Sequence, residues 1–362
     1  MADRMSVLAA APVRLGVVAN PVSARDVRRI SSHAAGLTLA ERANMLVRLL
    51  HVLGAFEVAE VLMMPEREGL RALLMRQLDW LGQRQSSVPL PRLHWLNMPV
   101  TGTIEDSREA TRRMVAEGVK AIVVLGGDGT HRVVARDIGQ TPMVAVSSGT
   151  NNAFPPMREI TVTALAAGLF AQRQLPAARV LQPNKLLRVR KLDQAGRCLA
   201  EDVALVDVGI FNEQILGARA ISEIGSLRTI VVSQASPEAV GLSGVVAMLA
   251  PLARTEPGAL VVELQPEIGP YAETGTAVRQ LRAALAPGLI GRLQVLSWHG
   301  VQGPEVYRLH GQAGLISLDG EREMSFQAGD RIVIQLLSDA FRTLDVPACL
   351  REAADRHLLL EA

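Results

Sequence analysis

The sequence predicts two domains, an α/β domain with a parallel sheet over residues 1–155 and a mainly antiparallel β domain over residues 156–340. In the first part strand and helix signals alternate and the strands are apolar throughout, which is typical of a parallel sheet covered by helices on both faces. In the second part strand-like runs follow one another with turn residues between them, which is typical of antiparallel sheets. We expect residues 341–362 to be helical and to pack back on the first domain.

The first part begins with an apolar strand that Asn20-Pro21 closes, since such a pair favours a turn. Thr38 and Glu41 have the spacing of a capping box and predict a helix that Gly54 ends. The predicted strands are Leu15–Ala19, Glu57–Met63, Leu93–Leu96, Ala121–Leu125 and Met143–Val146. The predicted helices are Thr38–Leu53, Glu66–Leu81, Thr103–Glu117 and a short stretch between the last two strands.

In the second part, Pro155-Pro156 stops regular structure and marks the domain boundary. Asp319-Gly320 between two strand-like runs predicts a hairpin, because a type I′ turn needs positive φ at both positions. The predicted strands are Lys185–Arg190, Asp202–Phe211, Leu227–Ser233, Leu260–Leu264, Arg292–Trp298, Leu315–Leu318, Glu321–Phe326 and Arg331–Leu336. The predicted helices are Ile160–Ala171, Val240–Leu252, Thr276–Ala286 and Pro347–Ala362.

Composition excludes several classes of protein. The chain has 362 residues, 49% of them hydrophobic, and 38 basic against 36 acidic side chains, so it is neither a disordered tail nor a strongly basic nucleic-acid binder. Two cysteines, Cys198 and Cys349, cannot form a disulfide scaffold. Since no apolar run approaches the ~20 residues of a membrane-spanning helix, we expect a cytoplasmic protein with neither nucleic acid nor membrane as partner.

The segment most informative about function is Gly126-Gly127-Asp128-Gly129-Thr130, which follows a buried strand. Ligands of open α/β sheets bind beyond the carboxyl ends of the strands, and glycines there let backbone amides approach a phosphate. A carboxylate in such a turn is expected to act as a general base or to anchor Mg²⁺. The alternative is a tight strand–helix turn with Asp128 as a helix cap. None of the three lysines follows a glycine-rich turn, which excludes a Walker-type loop.

A second loop of small hydrogen-bonding residues, Ser147-Ser148-Gly149-Thr150-Asn151-Asn152, follows the next strand. It has the composition of an ordinary turn-rich loop. Two such loops at neighbouring strand ends would nevertheless face one crevice, which favours a nucleotide site.

Together these segments resemble the NAD kinase/diacylglycerol kinase superfamily. Within it, Ala19-Asn20-Pro21, Arg25-Asp26-Val27-Arg28-Arg29 and Gly149 to Pro155 are most similar to the ATP-NAD kinase-like AcoX (acetoin catabolism protein X) branch. The resemblance implies a Rossmann-like first domain and a kinase-like site between the domains, using ATP and Mg²⁺. It makes Asp128 the group that acts on the acceptor hydroxyl. The nucleotide-binding residues it implies are Asn20, Gly126, Gly127, Gly129, Thr130, Ser148, Gly149, Thr150, Asn151 and Asn152.

The acceptor is left open between nucleotides and lipids. NAD kinases carry an Asn-Glu pair on a β-domain strand, for which either Asp207 or the later Asn212-Glu213 is the counterpart. The second loop is closer to the pattern of lipid kinases, and Leu318-Asp319-Gly320-Glu321 resembles their segment with a glutamate base, although Glu321 also fits a solvated strand residue. NAD or NADH is the leading acceptor, with a lipid kinase and a non-catalytic nucleotide-binding accessory protein as alternatives. The superfamily also suggests a homo-oligomer.

Several further polar residues need an interpretation. His131 follows Thr130 and is expected either to touch a phosphate or to be an ordinary helix residue; the seven histidines show no metal-ligand spacing, and no metal ligand is assigned. Arg132 and Arg136 lie one turn apart on the following helix, where they would neutralise phosphates or, as the favoured alternative, be ordinary exposed arginines. Lys185 and Arg188 are expected in solvent. Asp202 lies in an apolar run and would need a partner if buried.

Overall fold

The computed structural model describes residues 12–21, 37–82, 89–149, 152–212, 224–266, 279–320 and 322–360. The helices are α1 (Leu39–Ala55), α2 (Leu70–Gly82), α3 (Ile104–Ala116), α4 (Asp128–Asp137), α5 (Ile160–Ala171), α6 (Ala177–Val180), α7 (Leu242–Ala247) and α8 (Val346–Asp355). The strands are β1 (Arg14–Ala19), β2 (Glu60–Met63), β3 (Arg92–Trp95), β4 (Ile122–Gly126), β5 (Met143–Ser147), β6 (Leu181–Leu192), β7 (Cys198–Ala204), β8 (Asp207–Phe211), β9 (Leu227–Val232), β10 (Ala259–Leu264), β11 (Arg279–Ala286), β12 (Leu289–Val301), β13 (Glu305–His310), β14 (Gly314–Leu318), β15 (Arg322–Phe326) and β16 (Arg331–Leu344).

The strands form two sheets, and the predicted fold class is confirmed. The first has the order β3-β2-β1-β4-β5-β16-β6-β7, with β13 also paired to β16, and its strands β1 to β5 are parallel. The second has the order β11-β12-β10-β9-β8-β14-β15 and is antiparallel. Since β16 pairs with both β5 and β6, the long late strand joins the two parts of the chain in one sheet. The predicted boundary at residue 155 stays a prediction.

The central parallel strands β1, β4 and β5 of the first sheet are buried on both faces because they are almost entirely apolar. Val17 and Val123 belong to one hydrophobic cluster, whereas their neighbours Val18 and Val124 belong to another on the opposite face. Successive strand side chains point to opposite faces, so an all-apolar strand needs helices on both sides. The capping box is present, with Glu41 N donating to Thr38 Oγ1 at 3.2 Å.

Helix α8 packs against the first part of the chain. Its residues Val346, Cys349 and Ala353 share a hydrophobic cluster with Ile160 and Ala164 of α5. The end of the chain therefore contributes to the core that the first strands build.

Four predicted elements of the second part are wrong or incomplete. The described part of Thr276–Ala286 is strand β11 rather than a helix, because pairing with β12 across Gly288 overrides helix propensity. The single strand expected over Asp202–Phe211 is two strands, β7 and β8. Helix α7 covers only the middle of Val240–Leu252, and no prediction corresponds to β13. Residues 341–344, predicted as helical, are instead the end of β16, which pairs with β6.

The predicted hairpin is confirmed. Asp319 and Gly320 join β14 to β15 with φ of 49° and 65°. Among the described helices, none has the length and hydropathy needed to cross a bilayer.

Candidate nucleotide site

The glycine-rich turn links β4 directly to α4. Gly127 is the N-cap of α4 and has no side chain to cap the helix, which begins at Asp128. A Cβ at Gly126 would lie 2.5 Å from Cβ of Thr130, and one at Gly127 would lie 3.0 Å from Oδ1 of Asn152. Because the first amides of a helix have no partner within it, this turn presents donors suited to an anion.

The second loop lies directly beside this turn. Gly126 pairs with Ser147 in the register of β4 and β5, and Ser148 N donates to Gly126 O at 3.1 Å. Asn152 Oδ1 accepts from Asp128 N at 3.3 Å, while its Nδ2 donates to Ser147 Oγ at 2.7 Å. The structure thus brings together the described members of both predicted loops.

One hydroxyl of the second loop has no hydrogen-bond partner among the described residues. It is Ser148 Oγ, which is buried. A buried polar atom without a partner is uncommon in folded proteins, so this hydroxyl is available to a ligand group.

Asp128 is held by the backbone that follows the second loop. Its two carboxylate oxygens accept hydrogen bonds from the amides of Ala153 and Phe154, both at 2.9 Å, and the residue is 8% exposed. The carboxylate is therefore held in place and connects the start of α4 to the backbone after the second loop.

Arg254, from the second part of the chain, covers the same loop. Its guanidinium lies 4.0 Å from the centroid of the Phe154 ring, Nη2 donates to Phe154 O, and Nε donates to Gln234 Oε1 at 3.2 Å. Burial lowers the pKa of Arg254 to about 10, opposed by the negative charge of Asp128. The sequence analysis did not identify Arg254, because a lone arginine in a loop far along the chain carries no local signal.

His131 supports the glycine-rich turn from inside the protein. Its ring is fully buried, with Nδ1 2.8 Å from Gly127 O, and faces the Phe154 ring at a centroid distance of 5.8 Å. Burial lowers the pKa of His131 to about 4. The imidazole is thus neutral at pH 7 and binds the backbone of the turn.

Asn20 lies at the same edge of the sheet as the two loops, since it follows β1, the neighbour of β4. Its carbonyl accepts a 2.7 Å hydrogen bond from Nη1 of Arg42, a buried arginine of α1. Arg42 Nε also donates to Leu37 O at 3.3 Å, and Leu37 N donates to Ser148 O at 3.2 Å. Asn20 is therefore tied to the second loop through Arg42 and Leu37.

The candidates on β8 lie at opposite ends of that strand. Asp207 pairs with Val232, close to Gln234, whose Nε2 donates to Ala153 O at 3.3 Å. Asn212 follows the other end and accepts from Arg228 at 3.5 Å. Asp207 is thus at the end of β8 nearer to Gln234, and Asn212 is at the opposite end. Thr150, Asn151, Glu213 and Glu321, like Arg25-Asp26-Val27-Arg28-Arg29, lie outside the described residues.

Arg132 and Lys185 differ from the expectation that both are exposed. Arg132 is 3% exposed and donates to Leu318 O at 3.0 Å and to Asp319 Oδ2 at 3.4 Å. Lys185 is 6% exposed, its Nζ donates to Glu256 O at 2.5 Å and Gly258 O at 3.1 Å, and burial lowers its pKa to about 8. Both side chains bind loops of the second sheet, which fold onto them only in the tertiary structure.

The remaining charged candidates also have partners. Asp202 has the partners that its apolar surroundings require, Arg136 at 3.5 Å and Arg322 at 3.1 Å. Arg188 is half-buried and donates to Gln335.

Comparison with known proteins assigns both parts of the chain. Residues 15–174 match the ATP-NAD kinase N-terminal domain, and residues 185–339 match the acetoin catabolism protein X C-terminal domain. Among solved structures, yeast NADH kinase complexed with NADH covers 97% of this chain and 89% of its own, with a TM-score of 0.49 and 11% identity. A diacylglycerol kinase from Bacillus anthracis covers 93% of this chain and 98% of its own, with a TM-score of 0.43 and 14% identity.

A curated relative extends the match over nearly the whole chain. Acetoin catabolism protein X of Cupriavidus necator is 43% identical over 350 residues, which are 96% of this chain and 94% of the relative. The chain therefore belongs to the acetoin catabolism protein X family, whose first domain is of the ATP-NAD kinase type.

Proposed function

We propose that this protein is an ATP-dependent phosphotransferase that phosphorylates a hydroxyl acceptor, with NAD or NADH as the first candidates. The observation that carries the proposal is that the two loops lie side by side, one with the start of α4 and the Asp128 carboxylate, the other with the unpartnered Ser148 hydroxyl. The match of residues 15–174 to the ATP-NAD kinase domain supports a nucleotide as ligand.

ATP would lie with its phosphates at the start of α4. The amides of Gly129 and Thr130 would donate to phosphate oxygens. The lack of side chains at Gly126 and Gly127 lets Thr130 and Asn152 pack closely against the turn. Asn20 and Asn152, on the neighbouring strand ends, would line the rest of the nucleotide site.

In the proposed reaction the acceptor oxygen attacks the γ-phosphorus of ATP. The bond between that phosphorus and the β–γ bridging oxygen breaks, ADP leaves, and the proton of the acceptor hydroxyl passes to a carboxylate oxygen of Asp128. Phosphoryl transfer asks a protein mainly for positioning and charge neutralisation, and a carboxylate held by two backbone amides is well positioned.

The fit to Mg²⁺ is through the nucleotide rather than through a protein cage. Within the described ranges no group of three or more His, Cys, Asp or Glu side chains could hold a metal. Mg²⁺ is commonly bound by one or two carboxylates together with substrate phosphates, and Asp128 is the carboxylate nearest the turn. When bound, the ion would offset charge on the phosphates.

A second candidate function is nucleotide binding without turnover, as an accessory protein. The observation in its favour is that both oxygens of Asp128 already accept backbone hydrogen bonds, as in a purely structural cap. The name of the Cupriavidus relative refers to acetoin catabolism, and we propose the same pathway context, a cytoplasmic location and a homo-oligomer for this chain.

The test is incubation of the full chain with γ-labelled ATP, Mg²⁺ and separate acceptors: NAD, NADH, diacylglycerol and a sphingoid base. We expect label in NADP or NADPH, and Asp128→Asn should lower turnover about 10²- to 10⁴-fold, the usual contribution of a general base. Asp137→Asn, at the far end of α4, is the matched control and should keep full turnover. ATP binding without transfer to any acceptor would support the accessory function, and label in a lipid would support a lipid kinase.

A further inference from the structure

Arg254 lies in a turn of the second part of the chain that is anchored on both sides. Ala235 and Leu252 exchange backbone hydrogen bonds of 2.8 and 3.0 Å immediately before it. The turn closes on itself when Ala253 N donates to Glu256 Oε2 at 2.9 Å. The backbone that carries the Arg254 side chain is therefore held in a fixed position.

Lys185 fixes the far side of the same turn. Its buried ammonium donates to the carbonyls of Glu256 and Gly258, which follow Arg254 by two and four residues. A buried cation satisfied by two carbonyls holds them firmly, because charge-assisted hydrogen bonds are stronger than neutral ones. Strand β6 thus supports the turn that carries Arg254.

From this turn Arg254 reaches the peptide that binds Asp128. It donates to the carbonyl of Phe154, stacks on the Phe154 ring, and holds Gln234, which donates to the carbonyl of Ala153. Residues of the second part of the chain therefore donate to the carbonyls of Ala153 and Phe154. The amides of the same two residues donate to the Asp128 carboxylate.

The charges of Asp128 and Arg254 also favour a role for this arginine in the site. A carboxylate beside a phosphate-binding turn repels the phosphate, so the turn needs a compensating positive charge. Arg254 is a buried cation that interacts electrostatically with Asp128.

We propose that Arg254 is the positioning residue of this site: it orders the Ala153–Phe154 peptide that fixes Asp128 and offsets the charge of that carboxylate toward a bound polyphosphate. The inference deepens the proposed function and rests on it for the nucleotide. Arg254 belongs to the second part of the chain, whereas the two loops of the proposed nucleotide site belong to the first.

The test is a double-substitution cycle of Arg254→Met and Asp128→Asn in the full chain, read by calorimetric binding of ATP with Mg²⁺. Arg254→Met alone should weaken ATP binding about 10-fold, because it leaves the carboxylate uncompensated. The double variant should bind within about 3-fold of the wild type, because both charges are gone. Additive losses would overturn the proposal. Arg188→Met, a half-buried arginine bound to Gln335 in the first sheet, is the control and should bind ATP normally.

Two further readouts separate positioning from general stability. In a chain that transfers phosphate, the acid limb of kcat/KM should move to higher pH in Arg254→Met, since a carboxylate that loses a nearby cation takes up a proton more readily. Arg254→Lys should restore most of the ATP affinity but not kcat, because lysine keeps the charge and loses the stacked, two-bond geometry.

If ATP does not bind the wild type, the proposed function fails while the inference is still tested by urea unfolding. Asp128→Asn should then lower the unfolding midpoint less in the Arg254→Met background than in the wild type. Equal shifts in both backgrounds would overturn the role of Arg254.

Discussion

The buried aspartates of two Asp-Gly pairs, Asp128-Gly129 and Asp319-Gly320, make similar interactions but have different roles. Asp319 accepts hydrogen bonds from the amides of Leu205, Val206 and Asp207 at 2.9, 2.8 and 3.2 Å and is paired with Arg132. Asp128 accepts two amides and has Arg254 as its cationic neighbour.

The difference lies in where each carboxylate sits. The Asp319 side chain is 1% exposed and lies between α4, the β7–β8 turn and the β14–β15 hairpin, so it connects these three elements. Asp128 is 8% exposed and begins α4 at the glycine-rich turn. One helix therefore carries a candidate reactive carboxylate at its start and, a turn later, an arginine that ties it to the second sheet.

Removing the Asp319 carboxylate should have the largest effect on stability. Asp319→Ala leaves the Arg132 charge buried without its carboxylate and three amides without an acceptor, and we expect a loss of about 3–5 kcal/mol in the free energy of unfolding. Urea unfolding measures it. The control is Asp339→Ala, in an exposed pair with Arg342, which should lose at most about 1 kcal/mol. Similar losses of stability in both variants would show that Asp319 does not connect α4 to the second sheet.

Acid should act on the Asp128 end of α4 through His131. The pKa of this buried imidazole is lowered to about 4 from an ordinary value near 6.5, so the unfolded state binds the proton first as the pH falls. Stability contributed by the neutral ring is therefore full above pH 6.5 and is lost between pH 6.5 and 4, by up to about 3 kcal/mol.

His131→Asn removes the titrating group and keeps a donor near the Nδ1 position. Its unfolding free energy, measured by urea at pH 7 and pH 4.5, should fall less on acidification than that of the wild type. Equal falls would assign the acid sensitivity to other groups.

Crowding the glycine-rich turn should have a smaller effect on stability and a clear one on binding. Gly126→Ala places a methyl group against Thr130, so either the start of α4 or the strand end must shift, at about 1–3 kcal/mol. ATP affinity should fall with it. Gly82→Ala, where no atom lies within 4 Å of the new methyl group, is the matched control and should change neither quantity. Unchanged ATP affinity in Gly126→Ala would argue against phosphate binding at this turn.

The sequence predicted the two adjacent loops of the candidate site because their signals are local. A buried strand followed by glycines and an aspartate defines a strand–turn–helix unit in about ten residues, and the register of β4 and β5 brings the second loop to it. Arg132 and Lys185 differ from the predicted exposure because burial of a long cation depends on carbonyls and carboxylates distant in the chain. Strand β11 differs from the predicted helix because pairing with β12 overrides the helix propensity of its alanines.

By itself, the sequence determined the two kinds of sheet, the Asp319-Gly320 hairpin and the two loops at neighbouring strand ends, since side-chain periodicity and turn chemistry act over a few residues. Only the tertiary structure decided that β16 joins both parts of the chain in one sheet, that Arg254 covers the loop holding Asp128, and that Asp319 joins α4 to the second sheet. The physical reason is that these contacts unite residues separated by a hundred positions or more, and each becomes favourable only when burial strengthens its electrostatics.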